Sequence, residues 1–350
     1  MKILVLGANG FIGHSLIRRI LDSEDWSVVG LDLHWFRLGS MLDHPRLAFH
    51  RADLMSDHAL VDRLIEAADV VLPLAAFATP ATYVRWPLAT FELDFEANLR
   101  VIRMTARMGR RLVFPSTSEV YGMCEDAAFS ERDSRLVMGP VHNDRWIYGC
   151  SKQLLDRVIW ALRRDGLDFT IFRPFNWFGP CQDDIGDAAP GSSRVVTQFL
   201  GHLLRGEQVS LVDGGSQRRT FTYIDDGIDA LMCILRNEDG RATGQIVNLG
   251  NPANVASIRE VGALLADEVS RIAGFADRVA RPWFRNVSGE QYYGSGFEDV
   301  GHREPAIDVA RWLGWEPRIG LREGIRRLLA AEVDSGAWMQ AVASAQAVAT

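Results

Sequence analysis

The chain has 350 residues, 47% of them hydrophobic and 24% charged, with a formal net charge of −7, enough apolar surface for one large or two medium soluble domains. This acidic balance, without a cluster of Lys and Arg, argues against nucleic acid or an anionic membrane as partner, and no stretch reaches the ~18 uninterrupted apolar residues that span a bilayer. Cys124, Cys150, Cys181 and Cys233 are widely spaced and the eight histidines show no metal spacing, so free thiols, no metal and a reducing cytoplasm are expected.

In chain order, short apolar runs predict strands at Ile3–Leu6, Val28–Leu31, Leu47–His50, Val70–Leu74, Leu112–Phe114 and Phe169–Phe172. Amphipathic patterns between them predict helices over Phe11–Leu21, Leu60–Ala67, Phe95–Met108 and Lys152–Arg164. Strands alternating with helices imply right-handed crossovers and a parallel sheet covered on both faces, a doubly wound Rossmann α/β plan. A Gly/Asp/Pro-bearing loop over Gly179–Ser193 then leads to a helix near Val195–Arg205 and a strand near Val209–Val212. Beyond these come a strand at Ile246–Leu249 and helices at Ile258–Ala273, Pro305–Leu313 and Leu321–Glu332, with Tyr223–Asp226 read as a strand end carrying a structural carboxylate. The domains expected are a dinucleotide-binding unit over 1–174, to which parts of 212–252 return, a smaller α/β substrate-binding unit over 175–335, and a flexible tail over 336–350.

The first strand-to-helix turn carries Gly7-x-x-Gly10-x-x-Gly13. Gly7 suits the tight turn, Gly10 a close backbone approach to a pyrophosphate, and Gly13 close packing of helix on strand, while the free N–H groups of the helix start suit the anion. Asp32 closes the second strand, where a carboxylate accepts from ribose hydroxyls and repels a 2′-phosphate, so NAD is favoured over NADP. Asn9, Phe11 and Ile12 in the turn, Asp53 and Leu54 after the third strand, and Leu74, Ala75 and Ala76 after the fourth complete the expected cofactor contacts. For Asp53 a simple turn role is an equal reading.

Tyr148 and Lys152 stand four apart, one helical turn, which brings phenol and ammonium to one face. Positive charge there favours phenolate, so Tyr148 is expected to take a hydroxyl proton while hydride leaves the same carbon. About 30 residues upstream, directly after a strand, Thr117 is placed to hydrogen-bond the reacting oxygen and Glu119 to bring a second proton-transfer group. Taken alone, such a Tyr/Lys match is common by chance, and a solvated helix pair is its default reading.

With Arg173-Pro174, these motifs resemble the markers of the extended short-chain dehydrogenases/reductases. PSTSEVYGMC, RWIYGCSKQLLDRVIWA, FRPFNWFGP, GSSR, LVDGGSQRRTFT, NLGNP and EDVGHREP are most similar to the UDP-glucuronate decarboxylase branch, which includes the decarboxylase half of the bifunctional polymyxin-resistance enzymes and the UDP-xylose synthases. The likeness runs from about residue 1 to 332, and the formyltransferase part of the bifunctional enzymes is absent from it. It implies C4′ oxidation and decarboxylation of a UDP-sugar by an NAD-dependent homodimer, with Trp86-Pro87, Phe91–Phe95 and Asn98 starting a helix of the dimer contact, although the core explains an apolar helix face equally well. It also implies Thr117, Tyr148 and Lys152 as the oxidation triad, Ser118 and Glu119 flanking the sugar, and Arg303 assisting decarboxylation or protonating the product. Asn176 and Phe297 are then implied at the sugar nucleotide, with Arg194 and Arg219 at its diphosphate. Gly149-Cys150, Ser210 and Phe297 depart from the branch, which carries a basic residue at the second of these sites and Tyr at the third. The rival readings are a sugar-nucleotide 4-epimerase, a 4,6-dehydratase, which calls for an acid at position 118, and a non-catalytic NAD sensor, which calls for loss of Tyr148 or Lys152.

Overall fold

The computed structural model describes residues 1–187, 189, 191–272, 279 and 282–335; the tail expected over 336–350 lies outside the described residues. The chain begins β1 (Lys2–Leu6), α1 (Phe11–Ser23), β2 (Ser27–Asp32), β3 (Leu47–Arg51), α2 (His58–Glu66) and β4 (Val70–Pro73). There follow α3 (Pro80–Arg85), α4 (Pro87–Phe91), a π-helical turn over Glu92–Ala97, α5 (Asn98–Arg107), β5 (Arg111–Pro115), α6 (Trp146–Leu162) and β6 (Phe169–Pro174). The second half comprises β7 (Trp177–Phe178), α7 (Val195–Arg205), β8 (Val209–Val212), β9 (Arg218–Thr220), β10 (Thr222–Tyr223), α8 (Ile224–Arg236) and β11 (Gln245–Leu249). It closes with β12 (Val255–Ser257), α9 (Ile258–Ser270), β13 (Phe284–Val287), α10 (Gly289–Tyr293), β14 (His302–Arg303), α11 (Asp308–Trp312) and α12 (Leu321–Ser335).

Seven strands form one parallel sheet in the order β11-β6-β5-β4-β1-β2-β3. The pleat sends alternate residues of β1 to opposite faces. Ile3 and Val5 pack with Leu16, Ile17 and Ile20 of α1 and Ile228 and Leu231 of α8, whereas Leu4 and Leu6 pack with Val61 and Ile65 of α2 and Val101 of α5. Each such buried Leu or Ile contributes ~1.5–3 kcal/mol. Both faces are covered, which is why the strands read as apolar runs rather than as alternating patterns. Strand order reverses between β1 and β4, and the crevice at their carboxyl ends is where a doubly wound sheet takes its ligand.

Several elements differ from the sequence expectation. The helix predicted from Lys152 starts at Trp146, so Tyr148 stands inside it, and the helix predicted from Phe95 begins at Pro87 and passes through the π turn. The helix predicted from Pro305 begins at Asp308, because Pro305 bridges to Phe129 and the Ala306 N–H donates to Phe129 O. Helix α8 follows directly on the two-residue strand β10; its Asp226 accepts the N–H groups of Arg318 (3.0 Å) and Ile319 (2.9 Å), tying the chain before α12 to α8. Strand β11 returns to the sheet beside β6. The small sheets β12-β9-β14 and β13-β8 carry Arg219, Arg303 and Ser210 to the carboxyl edge of the large one.

Candidate active site

The glycine turn is tight enough to be tested by geometry. Gly7 has a φ of +93°, and a Cβ there would lie 2.7 Å from Ala75 N. A Cβ at Gly13 would lie 2.3 Å from Gly7 O, so helix and turn meet only because that atom is missing. Helix α1 has neither a side-chain cap nor an acidic residue in its first turn, which leaves its positive end to an anion. Asp32 is aimed by backbone: Oδ2 accepts the Asn9 N–H (2.9 Å) and Oδ1 the His34 N–H (3.1 Å). A carboxylate has about four acceptor positions, so each oxygen keeps one for a ribose hydroxyl. These residues fit a dinucleotide.

The other expected cofactor residues divide. Phe11, Ile12, Leu74 and Ala76 line the cleft, Ala75 backs Gly7, and the Asn9 side chain is taken up by the Arg37 N–H (2.7 Å). The Leu54 side chain is buried in the core with Leu4 and Ile65. Asp53 serves its turn, accepting from Met55 N–H (2.8 Å) and donating its own N–H to Asp57 (2.7 Å), on a shallow surface depression with Leu33 and His34.

Beyond the glycine turn opens a cleft of about 300 Å³ that brings together Thr117, Ser118, Glu119, Tyr148, Lys152, Asn176, Arg194, Arg219, Phe297 and Arg303. Thr117 caps the short helical turn Ser118–Tyr121, its Oγ1 accepting the Glu119 N–H (3.1 Å), which leaves its hydroxyl hydrogen for the oxygen opposite. Asn176 holds a φ of +37° and donates to Thr220 O (3.0 Å), bracing the turn from β6 to β7. Phe297 stacks on Tyr293 at 4.1 Å, under the Arg145 guanidinium at 5.6 Å. Arg194 is paired with Asp183 (2.8 Å) and lies over Phe11 (5.6 Å), so its charge is already matched. Ser210 Oγ accepts from Arg285 Nε (3.2 Å) on the adjacent strand.

Tyr148 requires a correction. Burial, with Asp94 next and Glu119 behind, pushes its phenol well above the ordinary value, while the Thr117 hydrogen bond and Arg194 pull the other way. Lys152 stands beside that ring, but its direct partners are others. Its Nζ lies 6.0 Å from the Tyr148 ring centre, donates to Pro115 O (3.2 Å) and pairs with Asp94 (3.7 Å), because a buried ammonium seeks the nearest carboxylate. In the free protein the phenol is therefore protonated.

Glu119 is corrected as well. Burial by itself would raise its carboxyl, but Arg145 (2.5 Å) and Arg303 (2.5 Å), with Arg219 behind them, outweigh burial and hold it at about 2. Burial opposes the Arg303 charge, yet Glu119 overcomes it and raises the guanidinium further. Neither is a proton donor near neutral pH; together they are a fixed pattern of charge.

Sequence reasoning gave no role to Arg145, Tyr83 or Asp94. Arg145 clasps Glu119 from three residues before Tyr148, a same-face spacing that was the one available signal. Tyr83 stacks on Tyr148 at 4.5 Å and 7°, and nothing local marks it.

Residues 3–250 match the model of the NAD dependent epimerase/dehydratase family. The chain belongs to that family. As an epimerase/dehydratase-family enzyme it uses NAD, for which the glycine turn and Asp32 are built. Among solved structures, the PbgP3 protein from Burkholderia pseudomallei is 48% identical over 97% of this chain and 98% of its own, with a TM-score of 0.87. The dTDP-glucose 4,6-dehydratase DesIV from Streptomyces venezuelae, solved with NAD, is 23% identical over 97% and 98%, with a TM-score of 0.81. The UDP-glucuronic acid 4-epimerase from Bacillus cereus, solved with UDP-glucuronic acid and NAD, is 22% identical over 96% and 100%, with a TM-score of 0.78. The last two show a shared fold. No helix among the described residues is long and apolar enough to cross a membrane.

Proposed function

We propose that this family member oxidises UDP-glucuronate at C4′ and decarboxylates the product. The observation that carries the reading is the charge of the cleft facing Tyr148. Three buried guanidiniums, Arg145, Arg219 and Arg303, share two carboxylates, Glu119 and Asp299, an excess of one positive charge. Arg219 registers the crowding: burial, then Arg303, lowers it to about 10. An anionic group on the sugar or its diphosphate relieves that repulsion. Ser118, without an acid, stands where a 4,6-dehydratase calls for one.

NAD, which the glycine turn and Asp32 would hold, would supply a cationic ring that accepts hydride and whose charge favours the phenolate of Tyr148. In this reading Tyr148 takes the C4′ hydroxyl proton as the C4′–H bond gives up its electron pair as hydride, with Thr117 donating to the reacting oxygen. The resulting ketone is β to the C5′ carboxylate. Breaking the bond to that carboxylate releases carbon dioxide and leaves its electron pair in an enolate, whose oxygen Tyr148 and Thr117 stabilise. Arg303 and Arg145 act as charges that hold the carboxylate, and the proton at C5′ comes from Tyr148 or water rather than from Arg303 or Glu119. Released 4-keto-pentose leaves reduced cofactor behind, whereas returned hydride gives UDP-xylose. A homodimer belongs to the same reading, with Trp86 and Leu88, 57% and 74% exposed, as apolar surface on the helices the resemblance places at that contact.

The test is incubation with UDP-glucuronate and excess NAD, following reduced-nicotinamide absorbance, carbon dioxide and the mass of the sugar. Carbon dioxide with a pentose product supports the reading. UDP-galacturonate without carbon dioxide replaces it with 4-epimerisation, and no reaction across UDP-, dTDP- and GDP-sugars removes it.

A further inference from the structure

Asp94 is used by neither half of the mechanism above, yet it is buried directly behind Lys152, which lines the cleft. It lies in the π turn Glu92–Ala97, where the widened helix departs from the regular α pattern, a distortion frequent at functional sites. Its side chain is 0% exposed. Oδ2 accepts the Phe77 N–H (3.0 Å), while Oδ1 has no hydrogen-bond partner among the described residues and lies 3.7 Å from Lys152 Nζ.

The second carboxylate near Lys152 is committed elsewhere. Asp156, one turn further along α6, accepts from Arg173 (2.8 Å) and Ser116 (2.9 Å). The groups that face Asp94 are Lys152 and Tyr148 from α6 and Tyr83 from α3, and burial keeps both phenols neutral. Asp94 is therefore the counter-charge of Lys152. A buried pair just outside hydrogen-bond distance, with one oxygen unpaired, is a poor source of stability, because desolvation of both ions offsets their attraction. It does hold an ammonium that keeps donors to spare beside Tyr148.

We propose that Asp94 is a positioning residue for hydride transfer: its carboxylate keeps Lys152 charged and aimed at the cleft floor beside Tyr148. The proposal rests on the reading of Tyr148 and Lys152 as the proton-transfer pair. Burial, only partly countered by Lys152, pushes the Asp94 carboxyl up to about 6. As pH falls through that value Asp94 takes a proton, the ammonium loses its partner, and kcat falls.

The test is Asp94→Asn, isosteric but neutral, beside Asp94→Glu, assayed with whichever sugar nucleotide the wild-type enzyme oxidises. Loss of one charge-assisted contact lowers kcat about tenfold or more, with KM within about twofold, and removes the acid limb near pH 6; Asp94→Glu restores part of both. Wild-type kcat and an unchanged limb in Asp94→Asn overturn the proposal. A second measurement needs no turnover: infrared titration of the substrate-free wild-type protein shows a protonated-carboxyl stretch appearing as pH falls through about 6 that folded Asp94→Asn lacks. Its absence, or its persistence in folded Asp94→Asn, also overturns the proposal. Wild-type inactivity toward every sugar nucleotide defeats the proposed reaction instead, and leaves the infrared result to decide the Asp94–Lys152 pairing.

Discussion

Replacing Glu119 with Gln tests whether the cleft is held together by charge. Gln keeps the shape and one acceptor, but Arg145 and Arg303, both nearly inaccessible, lose their shared anion. The carboxyl is held at about 2 against an ordinary 4.5, a gap of roughly 2.5 on the pH scale, which at 1.36 kcal/mol each is about 3 kcal/mol carried by the ionised form. Breaking a buried pair from one side costs ~3–5 kcal/mol, an independent figure of the same size. At roughly 0.7 kcal/mol per kelvin for a chain of this length, Tm should fall about 4–5 °C. Because the folded-state value lies below the unfolded one, the stabilisation is complete above about 4.5 and is lost as pH falls toward 2. The difference between wild type and Glu119→Gln, read by urea unfolding, should therefore be constant from pH 9 to about 5.5 and close below about 4.5. A Glu119→Gln protein within about 0.5 kcal/mol of wild type at pH 7 would refute the reasoning.

Tyr148→Phe should lower hydride transfer about 10²–10⁴-fold while leaving NAD affinity within about twofold, checked by single-turnover absorbance and by fluorescence titration. Asp32→Ala should weaken NAD about 10–100-fold, the worth of hydrogen bonds to a charged group, and narrow the preference over NADP; calorimetry with both cofactors decides it. Gly13→Ala places a methyl 2.3 Å from Gly7 O and should lower both Tm and NAD affinity. Arg219→Met should raise KM for UDP-glucuronate more than for UDP-glucose if the crowded guanidinium serves the sugar carboxylate, and equally for both if it serves only the diphosphate.

Much of the site was legible because it depends on local rules. The glycine turn, Asp32 at a strand end and the Tyr148/Lys152 spacing are each fixed within a few residues of backbone, and the structure brings Thr117, Tyr148, Lys152 and Arg303 to one cleft. What was misread came from partners far along the chain. Lys152 stands one turn from Tyr148, but its counter-charge is Asp94, 58 positions before it. Glu119 looked like an acid until Arg303, 184 positions on, was seen to clamp it.

The sequence by itself determined the alternation of strands and helices, the parallel sheet and the dinucleotide turn, because hydrophobic periodicity and glycine sterics act over one or two turns of chain. Tertiary structure decided which charges meet: the joining of Arg145, Glu119 and Arg303, the burial of Asp94 against Lys152, and the Tyr83 ring on Tyr148. The reason is electrostatic. The protonation of a buried group is set by the sum of its desolvation and the charges within a few ångströms, and those neighbours arrive from every part of the fold.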